Sequence, residues 1–185
     1  MSVTEKSLIF WVGEKHSGKT TRVAGLVKIA RTLGFDVAGV LAPSVYHNGR
    51  LIGFDVLDLR NGNRASLARW RKDAVKMSPF VFTDEGMKLG TIALRPEFVG
   101  YADLVVVDEF GPMELCDQGW RSCVDSLLAS ITATILLVVR CEMVDQVQHI
   151  YADFNGWNIN AAEPNSIHKI IDILGRRRRL RLGIT

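Results

Sequence analysis

Eight consecutive residues, Gly13-Glu14-Lys15-His16-Ser17-Gly18-Lys19-Thr20, fit the spacing G-x-x-x-x-G-K-[ST], the Walker A loop. Glycines at both ends of such a loop let the backbone curl until several N–H groups face one polyphosphate, and a following helix adds its positive end. In this spacing Lys19 would reach the β- and γ-phosphates as a point charge, and the Thr20 hydroxyl would be a ligand of Mg²⁺. Thr21 could add a contact to the α-phosphate. Lys15 and His16 occupy variable positions of the motif, and His16 reads as a bystander.

A second acidic element stands at Leu104-Val105-Val106-Val107-Asp108-Glu109. Its apolar run is of the kind buried on both faces in a parallel sheet, so the two carboxylates fall at the C-terminal strand edge, where α/β sheets bind ligands. Asp108 would hold Mg²⁺ through water. Glu109, one residue on, points differently and could polarise an attacking water as general base. Asp108-Glu109-Phe110-Gly111 also fits the D-x-x-G of signalling GTPases, but no N-K-x-D follows, so guanine-selective recognition of that type is not expected. Arg140 ends another apolar strand near the same edge. It could stabilise charge on the γ-phosphate or pair with an acid at the strand end. Glu114, after the Gly111-Pro112 turn, is expected to fix that loop.

These groups need a scaffold of alternating strands and helices. Ser7 to Val12 reads as a strand, and Val23, Leu26, Val27, Ala30 and Leu33 form one buried helical stripe that Gly34 is placed to stop. Val37 to Val45 reads as a second strand. Asn48-Gly49 then turns the chain into Leu51 to Leu59, and Asn61-Gly62-Asn63 into Arg64 to Ala68, an antiparallel meander over about 37–69. Residues 70–100, interrupted by Pro79 and Pro96, are expected to be irregular with a short helix. Order returns at Leu104 to Val107, at the helix face Trp120, Cys123, Val124, Leu127 and Leu128, and at the strand Thr134 to Val139. Met143 to Tyr151 reads as helix, Trp157 to Ala162 as a final strand, and Ser166 to about Arg179 as a last helix. The expected fold is α/β: a P-loop, mostly parallel sheet flanked by helices, with an inserted antiparallel hairpin. One domain over 1–175 is expected, followed by a basic tail at 176–185.

The chain has 185 residues, 48% hydrophobic and 23% charged, which excludes a disordered or coiled-coil protein. Its formal net charge is +3, but Arg176, Arg177, Arg178, Arg179 and Arg181 alone carry five positive charges; without them 18 basic residues face 20 acidic ones. Nucleic-acid binding is therefore not expected of the body, although the arginine run could bind phosphate, RNA or an acidic partner. Cys116, Cys123 and Cys141 form no C-x-x-C pair, so reduced, mostly buried thiols are expected. No signal peptide or membrane span is indicated, and a cytoplasmic protein is expected. Arg64, Arg69, Arg71, Lys72 and Lys76 crowd the middle segment with Trp70. They read as a solvated charged surface, with a basic lid over a triphosphate as the alternative.

Three segments together carry a family resemblance: the Gly-x4-Gly-Lys-Thr-Thr loop, Gly39 to Phe54 with its Gly-Arg-Leu-Ile-Gly-Phe-Asp-Val stretch, and Val107-Asp108-Glu109-Phe110-Gly111-Pro112-Met113-Glu114-Leu115. In these the chain resembles the small cancer-related nucleoside-triphosphatases, over most of its length through about Arg140. The resemblance implies a RecA-like P-loop fold and Mg²⁺-dependent hydrolysis of ATP, GTP and other nucleoside triphosphates to diphosphate and phosphate. Glu109 matches the family's water-activating glutamate. Members usually carry Thr-Glu and a basic residue before the hairpin glycine, whereas Ala42, Pro43 and Tyr46 stand here. Two other readings stay open at this point: a P-loop phosphotransferase of the nucleotide- or nucleoside-kinase type, and a nucleotide-dependent switch acting on a protein partner through the hairpin or the arginine run.

Overall fold

A computed structural model describes residues 7–72, 79–154 and 156–183. The first strand, β1 (Ser7–Gly13), runs through the glycine loop into α1 (Lys19–Thr32), whose buried stripe is Val23, Leu26, Val27 and Ala30; Leu33, expected to share it, lies at the C-cap past the last turn and is exposed. Then come β2 (Val37–Leu41), β3 (Ser44–His47), β4 (Arg50–Asp58), β5 (Arg64–Trp70) and β6 (Phe80–Phe82). Helices α2 (Asp84–Ala93) and α3 (Pro96–Val99) lead to β7 (Leu104–Val107) and α4 (Pro112–Leu115). The chain closes with α5 (Arg121–Ser130), β8 (Thr134–Arg140), a 3₁₀ turn, α6 (Val144–Ile150), β9 (Gly156–Asn160) and α7 (Ser166–Leu182).

All the described strands join one sheet in the order β6-β5-β4-β2-β7-β8-β1-β9, with β3 on the side of β4. The five strands β2, β7, β8, β1 and β9 are parallel, and β8 separates β1 from β7. Alternation along each central strand feeds two cores. Ile9, Trp11, Leu104, Val106, Leu136 and Val138 pack beneath α1 and α7, with Leu26, Ile170 and Leu174. Leu8, Phe10, Val105, Val107, Ile135 and Leu137 pack on the opposite face with Val124, Leu127 and Trp120. Burial of each such aliphatic side chain is worth about 1.5–3 kcal/mol, so these continuous apolar strands hold the sheet's position between two helical layers. The consequence for chemistry is register. Gly13 lies opposite Arg140 and Val107 opposite Leu137, which brings the C-terminal ends of β1, β7 and β8 to one edge.

The structure departs from expectation in several places. The strand expected over Val37–Val45 is two strands broken at Ala42-Pro43; β2 belongs to the parallel core beside β7, and β4 pairs with it antiparallel. The turn at Asn48-Gly49 forms as expected, with φ of 47° and 74°, the left-handed pair that a two-residue hairpin requires. The region expected to be irregular holds β6, α2 and α3. Its missed signal is Thr83-Asp84-Glu85: the Thr83 hydroxyl accepts the Gly86 N–H at 3.1 Å, and two acids occupy the first turn of α2. Arg64 and Arg69 are not in a basic lid. They sit on β5 and both pair with Asp55, the Arg64 contact at 2.6 Å. Lys76 lies outside the described residues.

The arginine run is not a separate tail either, because α7 continues unbroken through it to Leu182. Good helix formers and cations at a helix C-terminus favour that continuation. The thiols are less buried than expected: Cys116 and Cys141 are exposed and Cys123 half-buried, all three free. Among the described residues no helix is long and apolar enough to cross a membrane.

Candidate active site

The glycine loop folds back on its own first residue. Gly13 is buried at the end of β1, and a Cβ there would lie 3.1 Å from both the Lys19 Cγ and the Ser17 Oγ. Gly18, at φ 79°, takes the left-handed conformation that delivers the chain into α1. His16 shares that conformation at φ 62°, a backbone role that its reading as a bystander missed; histidine is among the residue types that accept it. Glu14, Lys15, His16, Ser17 and Gly18 are exposed, as is Thr21, so the loop's outer surface is open. The first turn of α1 begins here, where backbone N–H groups lack intrahelical acceptors and the helix end is positive.

Lys19 is buried and its ammonium is held inside the loop, donating to the Gly13 carbonyl at 3.0 Å and the Glu14 carbonyl at 2.7 Å. Two neutral acceptors leave its charge uncompensated by any carboxylate at contact distance among the described residues. Beside it, Asp108 ends β7 with 1% of its surface exposed. Burial pushes the Asp108 carboxyl up to about 6, against the pull of the Ala42 N–H, the Thr20 hydroxyl and the Lys19 charge. The Ala42 N–H donates to Oδ2 at 3.1 Å. This contact was not read from the sequence, because a backbone donor leaves no trace in residue type.

Glu109 follows through a cis peptide, a third exposed at the sheet edge. Its Oε1 accepts from the Arg140 Nε, so of the two roles open to Arg140 the structure shows the pairing with an acid. The Phe110 N–H returns to the Val138 carbonyl at 2.8 Å and pins the chain after the acidic pair. Glu114 then fastens the next loop. It is buried and accepts the Gly111 N–H at 2.8 Å and the Trp120 N–H at 3.1 Å, while burial keeps its carboxyl above the ordinary range despite those two donors.

Lys19, Thr20 and Asp108 thus converge at the mouth of the loop, with Glu109 next in the chain after Asp108 and paired with Arg140 at the end of the intervening strand β8. A hydroxyl beside a carboxylate is a hard-oxygen donor pair that suits Mg²⁺, which characteristically takes one or two protein oxygens and completes its shell with water and phosphate. The residues present therefore fit that ion.

A phosphate loop between β1 and α1, an acidic pair ending β7, and β8 interposed between the two strands define a RecA-like P-loop nucleoside-triphosphatase. The NTPase family model matches residues 8–171, and the chain belongs to that family. It is 34% identical over 143 residues to the nucleoside-triphosphatase THEP1 of Thermococcus kodakarensis, covering 75% of this chain and 78% of that protein. Its identity to THEP1 of Methanothermobacter thermautotrophicus is 29% over 169 residues, covering 90% and 95%. Among solved structures, a human cancer-related nucleoside triphosphatase shares the fold with a TM-score of 0.68 at 23% identity, covering 92% of this chain and 96% of the other. THEP1 from Aquifex aeolicus does so with a TM-score of 0.69 at 20% identity, covering 90% and 98%.

Proposed function

We propose that this chain hydrolyses the terminal phosphoanhydride of nucleoside triphosphates, ATP and GTP among them, by in-line attack of water, with Mg²⁺ as cofactor. The observation that carries the reading is the convergence of the Lys19 ammonium, the Thr20 hydroxyl and the Asp108 carboxylate at the mouth of one glycine loop. The loop amides from Gly13 to Thr21 cradle the phosphates, and Lys19 exchanges its carbonyl acceptors for β- and γ-phosphate oxygens. Thr20 and Asp108 would hold the metal, which when bound would supply positive charge to offset that of the phosphates. Glu109 orients the attacking water and accepts its proton. One of its oxygens serves Arg140, and the other remains to do this. Arg140 stands where it can also meet charge developing on the γ-phosphate, since its backbone lies opposite Gly13. Free thiols support a reducing, cytoplasmic setting.

The test is steady-state phosphate release from a panel of common nucleoside triphosphates, with Mg²⁺ and with excess EDTA. Release from several bases that EDTA abolishes is expected. Release indifferent to EDTA, or phosphate transferred to an acceptor in place of water, would overturn the reading.

A further inference from the structure

The arginine run takes no part in the site just described, which lies at the opposite edge of the sheet. Three of its members are turned inward. Arg177 donates to the Thr132 carbonyl at 3.1 Å, Arg178 to the Gly34 carbonyl at 2.9 Å while lying over the Phe35 ring, and Arg181 pairs with Asp103. Arg176 and Arg179 point the other way. They are exposed, and no hydrogen bond or ion pair engages their guanidinium groups among the described residues.

Arg176 and Arg179 rim a groove of about 520 Å³ between the end of α1 and α7. Its floor is apolar, from Leu33, Phe35 and Ile171, and Leu33 keeps 54% of its surface exposed. Gly175 leaves the wall of α7 without a side chain, and Leu182, eleven positions after Ile171, extends the apolar strip past Arg179 with 65% exposure. Leucines left in water beside two unpaired cations cost free energy that a ligand of matching character would recover.

We propose that this groove receives a segment of a partner protein in which leucine-like side chains alternate with carboxylates. Charge complementarity selects this occupant. Two rim cations over an apolar floor match an acidic, amphipathic segment, which fills both parts at once. Nucleic acid fits poorly, since its phosphates could meet the two arginines but it offers no aliphatic group for the floor of Leu33, Phe35 and Ile171. A membrane surface fits poorly too. Leu180 and Leu182 are two positions apart on a helix and so stand on different sides, presenting no common apolar face for insertion.

The experiment uses the full chain and a short fluorescein-labelled peptide of alternating glutamate and leucine, followed by fluorescence anisotropy. Saturable binding is expected that weakens with added NaCl, weakens roughly tenfold in the double variant Arg176→Glu/Arg179→Glu, and weakens severalfold in Leu33→Ser. Phosphate release should be unchanged in both variants, which checks that they fold and separates this result from the catalytic reading. No saturable binding, binding indifferent to the charge reversal, or tighter binding of a polyglutamate peptide, an oligothymidylate or phosphatidylserine vesicles would overturn the proposal.

Discussion

At the N-terminal end of β7, Asp103 is 8% exposed and its carboxylate is fully engaged: the Asp36 N–H donates to Oδ2 at 3.0 Å, and Arg178 and Arg181 pair with it from α7. At the C-terminal end of the same strand, Asp108 is buried more deeply, and among the described residues no ion pair engages it; a backbone N–H and a hydroxyl meet it, and the Lys19 ammonium nearby is held by loop carbonyls. Both are aspartates flanking one four-residue apolar strand. The difference lies in what surrounds them. Where opposite charges close around a buried carboxylate it anchors structure, and where they are withheld it keeps lone pairs for a ligand at the cost of a carboxyl held up to about 6.

The sharpest test of the contrast removes the cation at the C-terminal edge. Lys19→Ala is expected to lower phosphate release by about 100- to 1,000-fold without loss of fold, read by steady-state kinetics beside circular dichroism. A variant that is merely unfolded, or fully active, would break the assignment of this edge to chemistry. Glu109→Gln should come next, lowering kcat by roughly 100-fold with little change in KM, because it removes a proton acceptor and leaves the phosphate contacts in place.

At the other edge the expected effects are on stability. Asp103→Asn should destabilise the fold by about 1–2 kcal/mol, a fall in Tm of roughly 3–6 °C, with kinetics unaltered; the figure stays modest because the arginine side chains remain a third or more exposed. A kinetic defect there would erase the distinction between the two ends. The smallest expected effect concerns Glu114. Its folded carboxyl sits above the ordinary range, so its protonated form favours the fold. That contribution is present at pH below the ordinary carboxylate range and lost as pH rises through the folded value. Chemical denaturation across that interval should show wild-type stability sloping down with pH, and a flatter profile in Glu114→Gln.

Most of what positions the site was legible in residue order. The strand at Leu104–Val107, the stripe of α1 and the Asn48-Gly49 turn follow from local patterns whose physics is complete within a few residues. What escaped depended on partners distant in the chain. Phe80–Phe82 is a strand only because it lies beside β5, and the break at Ala42-Pro43 separates a strand that joins β7 from one that turns back on β4. At the site, the sequence left Arg140 with two roles; its pairing with Glu109, 31 residues away, needed the register of β7 against β8.

The sequence by itself determined the class of chemistry. A glycine-lysine-threonine spacing and an acidic pair after an apolar strand have few other uses, because backbone curl, charge and metal-ligand type are local properties. Tertiary structure alone decided which charges were spent on the fold and which stayed free. Arg178 and Arg181 pair with Asp103, while among the described residues no ion pair engages Arg176 and Arg179, although the residues are adjacent and identical in kind. Helical phase turns neighbours to opposite sides, and only the packed body shows which side holds a carboxylate and which faces an open groove.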